Sequence, residues 1–326
     1  MPAFNQQNGT LSSEKHASLA GHLLCKKRVH FVGNVVKTAK MYPQVDTKDP
    51  SAVEAEVQST YRSMFPQGNE LFVPRAFFWA IDCFTGHYRD YQQIDARYHD
   101  FEHTLQGTLC MVRLLDGRYR ANIQPELNQR IFELGLLAIL LHDTGYLKKK
   151  GDCEGTGAKY TLVHVTRSME FAAELLREKG FSPADIKSVQ NMIRCTGVNV
   201  DLTAIPFCDE LERTVGYALG TADLLGQMAA NDYVDKLPIL YQEFAESDRY
   251  NKACGRPAKA MFSSAQDLVQ KTPMFWEKYV QPKINLDFRA LYRFLNHPYP
   301  DGPNFYIDRI TENIDRLRNS LNMLTA

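Results

Sequence analysis

The chain has no apolar run long enough to cross a bilayer. Its longest strongly apolar stretch, Leu134–Leu141 within Ile131–Leu141, falls far short of the ~18–20 residues a spanning helix needs. Neither charge is in excess, since 38 Lys and Arg balance 38 Asp and Glu. Proteins that wrap a nucleic-acid backbone usually carry a basic surplus, so a small substrate is expected rather than a nucleic-acid polymer. No C-x-x-C pair occurs. The seven cysteines (25, 83, 110, 153, 195, 208 and 254) are odd in number and scattered, which fits neither a disulfide framework nor a zinc ribbon and points to a reducing compartment. The opening segment MPAFNQQNGTLSSEKH lacks the basic-then-apolar layout of a secretory signal, so a cytoplasmic protein with no membrane partner is expected. The glycine loop GDCEGTGAK (151–159) fits neither G-x-x-x-x-G-K-[ST] nor G-x-G-x-x-G, no strand precedes it, and no G-x-S-x-G elbow exists.

What is present is helical periodicity. Residues 1–15 read as a flexible tail. Residues 16–326 read as one all-α domain, because no repeat, low-complexity tract or linker divides them. Pro125 and Glu126 predict a helix start, followed by the apolar series Ile131, Leu134, Leu137, Ala138, Leu141 and a stop near Gly145. A further helix is expected over about 161–179 with Gly180 as its stop, and Ser182-Pro183 caps the next. Others are expected over about 209–231 and 306–324. The last carries the stripe Ile307, Ile310, Ile314, Leu317, Leu321, Leu324, which suits packing onto the core or, as the alternative, a homodimer seam.

Three places carry chemistry. In Tyr98-His99-Asp100-Phe101-Glu102-His103, a helix would set His99 and His103 one turn apart on one face. His142-Asp143 closes a run of six apolar residues, where an unpartnered carboxylate would cost several kcal/mol. A divalent cation is a strong partner for imidazole plus carboxylate, and a capped helix end is the bland alternative. Asp223 lies among small apolar residues and needs a cation of some kind, either a metal or an arginine such as Arg130 or Arg213. His164, with Arg167 one turn on, offers a further metal or phosphate contact or else a core histidine. Histidines 16, 22, 30, 87 and 297 read as structural.

This order, His … His-Asp … Asp, resembles the HD superfamily of metal-dependent phosphohydrolases. YHDFEH is similar to the Y-H-N-x-x-H motif of cyclic-nucleotide phosphodiesterase catalytic domains, and Ala222-Asp223-Leu224 to their A-D-L segment. The motifs cover roughly residues 95–235. The resemblance implies a helical domain with its metal site in a central cleft. It further implies His103, His142, Asp143 and Asp223 as ligands of a first ion, and Asp143 as the bridge to a second. The ions implied are divalent, of the Zn, Fe, Mn or Mg kind, and activate a water for attack on phosphorus, with His99 as the general acid. A small phosphoester, foremost a cyclic or other nucleotide diester, is the implied substrate. Two departures stand out. Asp100 replaces the motif's asparagine and sets a negative charge beside His99. Tyr146 stands where the phosphodiesterase H-D-x-x-H has its second histidine.

Two rival readings use the same residues. A diiron oxygenase of the inositol-oxygenase type resembles this layout but needs two more histidines between His142-Asp143 and the last aspartate, where this chain has only His164. A non-enzymatic metal-binding signalling module would tolerate a degenerate site, whereas every ligand and the acid are present here.

Overall fold

The computed structural model describes residues 42–256 and 260–325, so the expected tail at 1–15 and histidines 16, 22 and 30 lie outside the described residues. Asp49 caps helix α1 (Pro50–Met64), and α2 (Phe72–Phe84) packs beside it. Helix α3 (Phe101–Arg120) is followed by α4 (Gln129–Leu141). After a single tight turn at Thr144–Tyr146 come α5 (His164–Glu178) and α6 (Pro183–Arg194). Next are α7 (Glu210–Met228) and α8 (Tyr233–Ala253). Helix α9 (Ala265–Phe275) continues into wider turns through Asp287, and α10 (Phe305–Thr325) closes the set. The fold is all-α. Among the described residues the only extended pairings are two isolated bridges, Tyr91–Lys149 and Asn296–Asn304. No helix among them is long and apolar enough to cross a membrane.

Local chemistry explains most boundaries. Ser182 and Asp185 form a reciprocal capping box at α6, and Asp209 caps α7 through the Glu212 amide. Gly180 has φ +80°, a left-handed stop after α5 that glycine adopts without a Cβ penalty. The expected start at Pro125 is displaced to Gln129, because the Asn128 side chain accepts the Ile131 amide at 3.0 Å and takes the cap. The same helix ends at Leu141 rather than near Gly145, and His142 holds its C-terminal position.

Helices α3, α4 and α7 form the centre of one hydrophobic core. Every residue of α4 from Ile131 to Leu141 is buried, and each large aliphatic side chain there contributes about 1.5–3 kcal/mol relative to exposure. That burial anchors the end of α4 deep in the molecule. α3 and α7 touch almost backbone to backbone: a Cβ at Gly226 would lie 2.8 Å from the Gln106 carbonyl carbon. On the α10 stripe, Ile310, Ile314 and Leu317 are fully buried in the chain's own core.

The glycine loop is anchored as well. Buried Lys148 pairs with Asp95 at 2.9 Å, buried Lys159 pairs with Asp152 at 2.6 Å, and Glu246 of α8 accepts from the Thr156 hydroxyl at 2.8 Å. Within the loop, the Lys159 ammonium is committed to Asp152.

Candidate metal centre

Three elements deliver the central side chains. His103 is the third residue of α3, where Asp100 caps its amide at 2.9 Å. His142 and Asp143 follow α4, and Asp223 projects from α7 beside the close approach to α3. His103 Nε2 lies 3.2 Å from Asp143 Oδ2 and 3.2 Å from Asp223 Oδ1, and His142 Nε2 lies 3.3 and 3.5 Å from the same two oxygens. Donor atoms ~2.1 Å from one ion stand ~3.0 Å apart at right angles and ~3.4 Å apart at tetrahedral angles. Three of the four measured edges fall in that interval, and the fourth, from His142 to Asp223, is 3.5 Å.

The hydrogen bonding says the same. His142 Nδ1 donates to the Ile139 carbonyl at 2.7 Å, which leaves Nε2 as the ring's lone-pair nitrogen in the neutral state. That Nε2 and Asp143 Oδ2 are buried with no hydrogen-bond partner. Groups of this kind cost about 1–3 kcal/mol each when left unsatisfied, and more when charged. His103, His142 and Asp143 are mutually close enough to hold a metal ion, and all three are buried. The arginine alternatives for Asp223 are engaged elsewhere: Arg213 with Glu210, and Arg130 with Asp185 and Glu133.

Electrostatics follow from this crowding. Burial opposes protonation of His103, but Asp143 and Asp223 outweigh it and raise its pKa to about 9. His142 is driven up in the same way, burial notwithstanding. Burial works against ionisation of Asp143 and Asp223, yet the two imidazoles hold both carboxyls well below the usual range. Without a metal, the cluster retains protons in its place.

The flanking residues differ from expectation. His99 precedes α3 and does not share a helix face with His103, because the Asp100 side chain caps that helix and starts it at Phe101. The rings still come within 5.4 Å, centroid to centroid. Asp100 is occupied as the cap, and the carboxylate that meets His99 is Glu243 of α8, 2.6 Å from Nδ1. Glu243 also accepts the amides of Arg97 and Tyr98 at 2.7 Å each. Burial opposes its ionisation, but His99 and these amides outweigh it and keep the carboxyl below its ordinary range.

His164, the first residue of α5, donates Nδ1–H to the Thr161 carbonyl at 2.6 Å and turns Nε2 toward Asp143 Oδ1, 3.9 Å away. Burial lowers its pKa. Tyr146 rests against both flanking imidazoles, with ring centroids 4.6 Å from His99 and 4.7 Å from His164. Arg167 does not face the site. Its guanidinium donates to the Gly145 and Leu147 carbonyls at 2.7 and 2.8 Å, and the Ser168 hydroxyl accepts from the Gly145 amide at 2.8 Å. These bonds press the turn after Asp143 onto α5, and a Cβ at Gly145 would collide with the His164 carbonyl.

Sequence reasoning did not single out Glu243. Tyr146 was visible only as a departure from a motif. Gln227 accepts from the Tyr98 hydroxyl at 2.9 Å and lies one turn after Asp223. Exposure gives the centre a direction: side chains of His103, His142 and Asp143 are 2–5% exposed, whereas those of His99, Asp223 and His164 reach 15–19%. The least buried side of the centre, its mouth, is formed by His99, Asp223 and His164.

No curated protein matches the chain. The profile of one family does, described as Npun_R2479-like, over residues 87–296, a stretch that holds every side chain of this centre. The chain belongs to the Npun_R2479-like family.

Proposed function

We propose that this protein is a metal-dependent phosphohydrolase of the HD kind, acting on a small phosphoester, foremost a nucleotide diester. The observation that carries the reading is the buried cluster of His103, His142 and Asp143, close enough together to hold one ion, with Asp223 Oδ1 3.2 and 3.5 Å from the two imidazole Nε2 atoms and two of the buried donor atoms unpartnered. That donor set, two imidazoles and two carboxylates, suits Zn, Fe or Mn. A divalent cation held there polarises a phosphoryl oxygen and lowers the pKa of water.

The chain's own groups supply the rest. Glu243 fixes His99 through Nδ1, so Nε2 is the atom that meets a ligand entering the mouth. A proton held at that nitrogen can pass to a departing alkoxide, a contribution of about 10²–10⁴ in rate. Asp143 directs Oδ2 toward His103 and His142 and Oδ1 toward His164, which suits it to a bridging role between two ions. Tyr146 packs against both the His99 and His164 rings and so helps to hold their orientation.

The test is metal analysis of the purified protein, followed by turnover of bis(p-nitrophenyl) phosphate with added Mn²⁺. Bound metal with hydrolysis supports the proposal, and a screen of 3′,5′-cyclic nucleotides, nucleoside monophosphates and dinucleotides then narrows the substrate. Metal-free protein without turnover overturns it.

A further inference from the structure

Beside His103 lies a small, partly open cavity between α3, the end of α7 and the start of α8. His103, Gln106, Gln227, Asp232, Tyr233 and Lys236 line it. It offers about 10 Å³ to the centre of a water molecule, at the lower limit for holding one water. His103 is 4% exposed, and its Nδ1 is buried without a hydrogen-bond partner. With Nε2 turned toward Asp143 and Asp223, Nδ1 must carry the proton of the neutral ring, so it needs an acceptor.

The lining narrows the choice. Lys236 is a donor only and pairs with Glu102 at 2.9 Å. Gln227 accepts from Tyr98 and donates to the Asp223 carbonyl at 3.0 Å. Asp232 occupies the N-cap position of α8, where an aspartate ordinarily accepts an amide, yet its side chain makes no cap hydrogen bond. Its one ion pair is with Lys236, at 3.3 Å.

We propose that a single water in this cavity links His103 Nδ1–H to the Asp232 carboxylate, which makes Asp232 the outer positioning residue of the metal-ligating His103. The inference rests on the metal centre proposed above. Accepting that proton fixes the ring orientation and strengthens Nε2 as a donor, and loss of such a partner typically weakens metal affinity about 10–100-fold.

The experiment measures the Zn²⁺ dissociation constant by competition with a chelating dye, together with the melting temperature in EDTA. Asp232→Leu should weaken Zn²⁺ binding about 10–100-fold while the melting temperature in EDTA stays near that of the parent. Asp232→Asn keeps an uncharged acceptor and should recover most of the affinity. Parent-like affinity in Asp232→Leu, or the whole loss appearing in Gln106→Leu instead, overturns the assignment and leaves the centre standing. A parent protein that takes up no Zn²⁺ ends both.

Discussion

Zn²⁺ binding should be steeply pH-dependent, because the metal has to evict protons from the cluster. In the metal-free protein the His103 pKa is raised to about 9, since the carboxylates of Asp143 and Asp223 outweigh the burial that opposes protonation. At pH 7 that ring is protonated almost entirely, and removing the proton costs ~2.7 kcal/mol at 1.36 kcal/mol per pH unit, about 100-fold in affinity. His142 is raised too, so one to two protons should leave per ion bound. The dissociation constant should then change about 10–100-fold per pH unit between pH 6 and 8. Calorimetric titration in two buffers of different ionisation enthalpy counts the protons directly. Proton-neutral binding with a flat affinity across that range would refute the reasoning. Stability carries the opposite sign in the metal-free state. A raised imidazole stabilises fully below its unfolded pKa of ~6.5, and that contribution, about 3 kcal/mol for His103, is lost as pH rises through about 9. The depressed carboxylates stabilise above ~3.9 and lose that contribution as pH falls. Melting scans in EDTA should therefore show this cluster at its most stabilising between about pH 4 and 6.5.

Other outcomes follow from the same geometry. His99→Ala should keep bound metal but lose most turnover, about 10²–10⁴-fold, whereas Asp143→Ala should lose both; metal loss in His99→Ala would reverse the assignment of acid and ligand. Glu243→Leu strands the amides of Arg97 and Tyr98 and frees His99, so denaturant titration should show a loss of about 2–6 kcal/mol, at about 1–3 per unsatisfied group, with a larger fall in kcat than in KM. Gly226→Ala drives a methyl into the Gln106 backbone; a lower melting temperature together with weaker Zn²⁺ binding is expected, and parent-like values for both would show that α3 and α7 can move apart freely.

Much of the fold was written locally. Ser182-Pro183, Gly180 and Asp209 act through neighbours three or four residues away, and those boundaries fall within a few residues of expectation. Where two signals compete over a short stretch, spacing alone cannot rank them. Asn128 prevails over Pro125 because its side chain reaches the Ile131 amide. Likewise, Asp100 reads as a charge beside His99 until its carboxylate is seen capping α3. His142, Asp143 and Asp223 stood out as costly polar groups in an apolar context, and His103 through its place in YHDFEH. Glu243 was not, since α8 is rich in charge and its partner lies 144 residues away. Arg167 misled for the converse reason: a guanidinium near a histidine suggests a phosphate contact, and here it braces two carbonyls.

The contact at Gly226 bears on how the centre is assembled. His103 and Asp223 ride on two helices that already touch, so the backbone positions from which both side chains reach are held by that contact. Ions that sit ~2.0–2.2 Å from nitrogen and oxygen fit without moving either helix. Ca²⁺ wants six to eight oxygen ligands, which two imidazoles and two carboxylates do not supply. The close approach of these two helices thus depends on a glycine that contributes no donor atom.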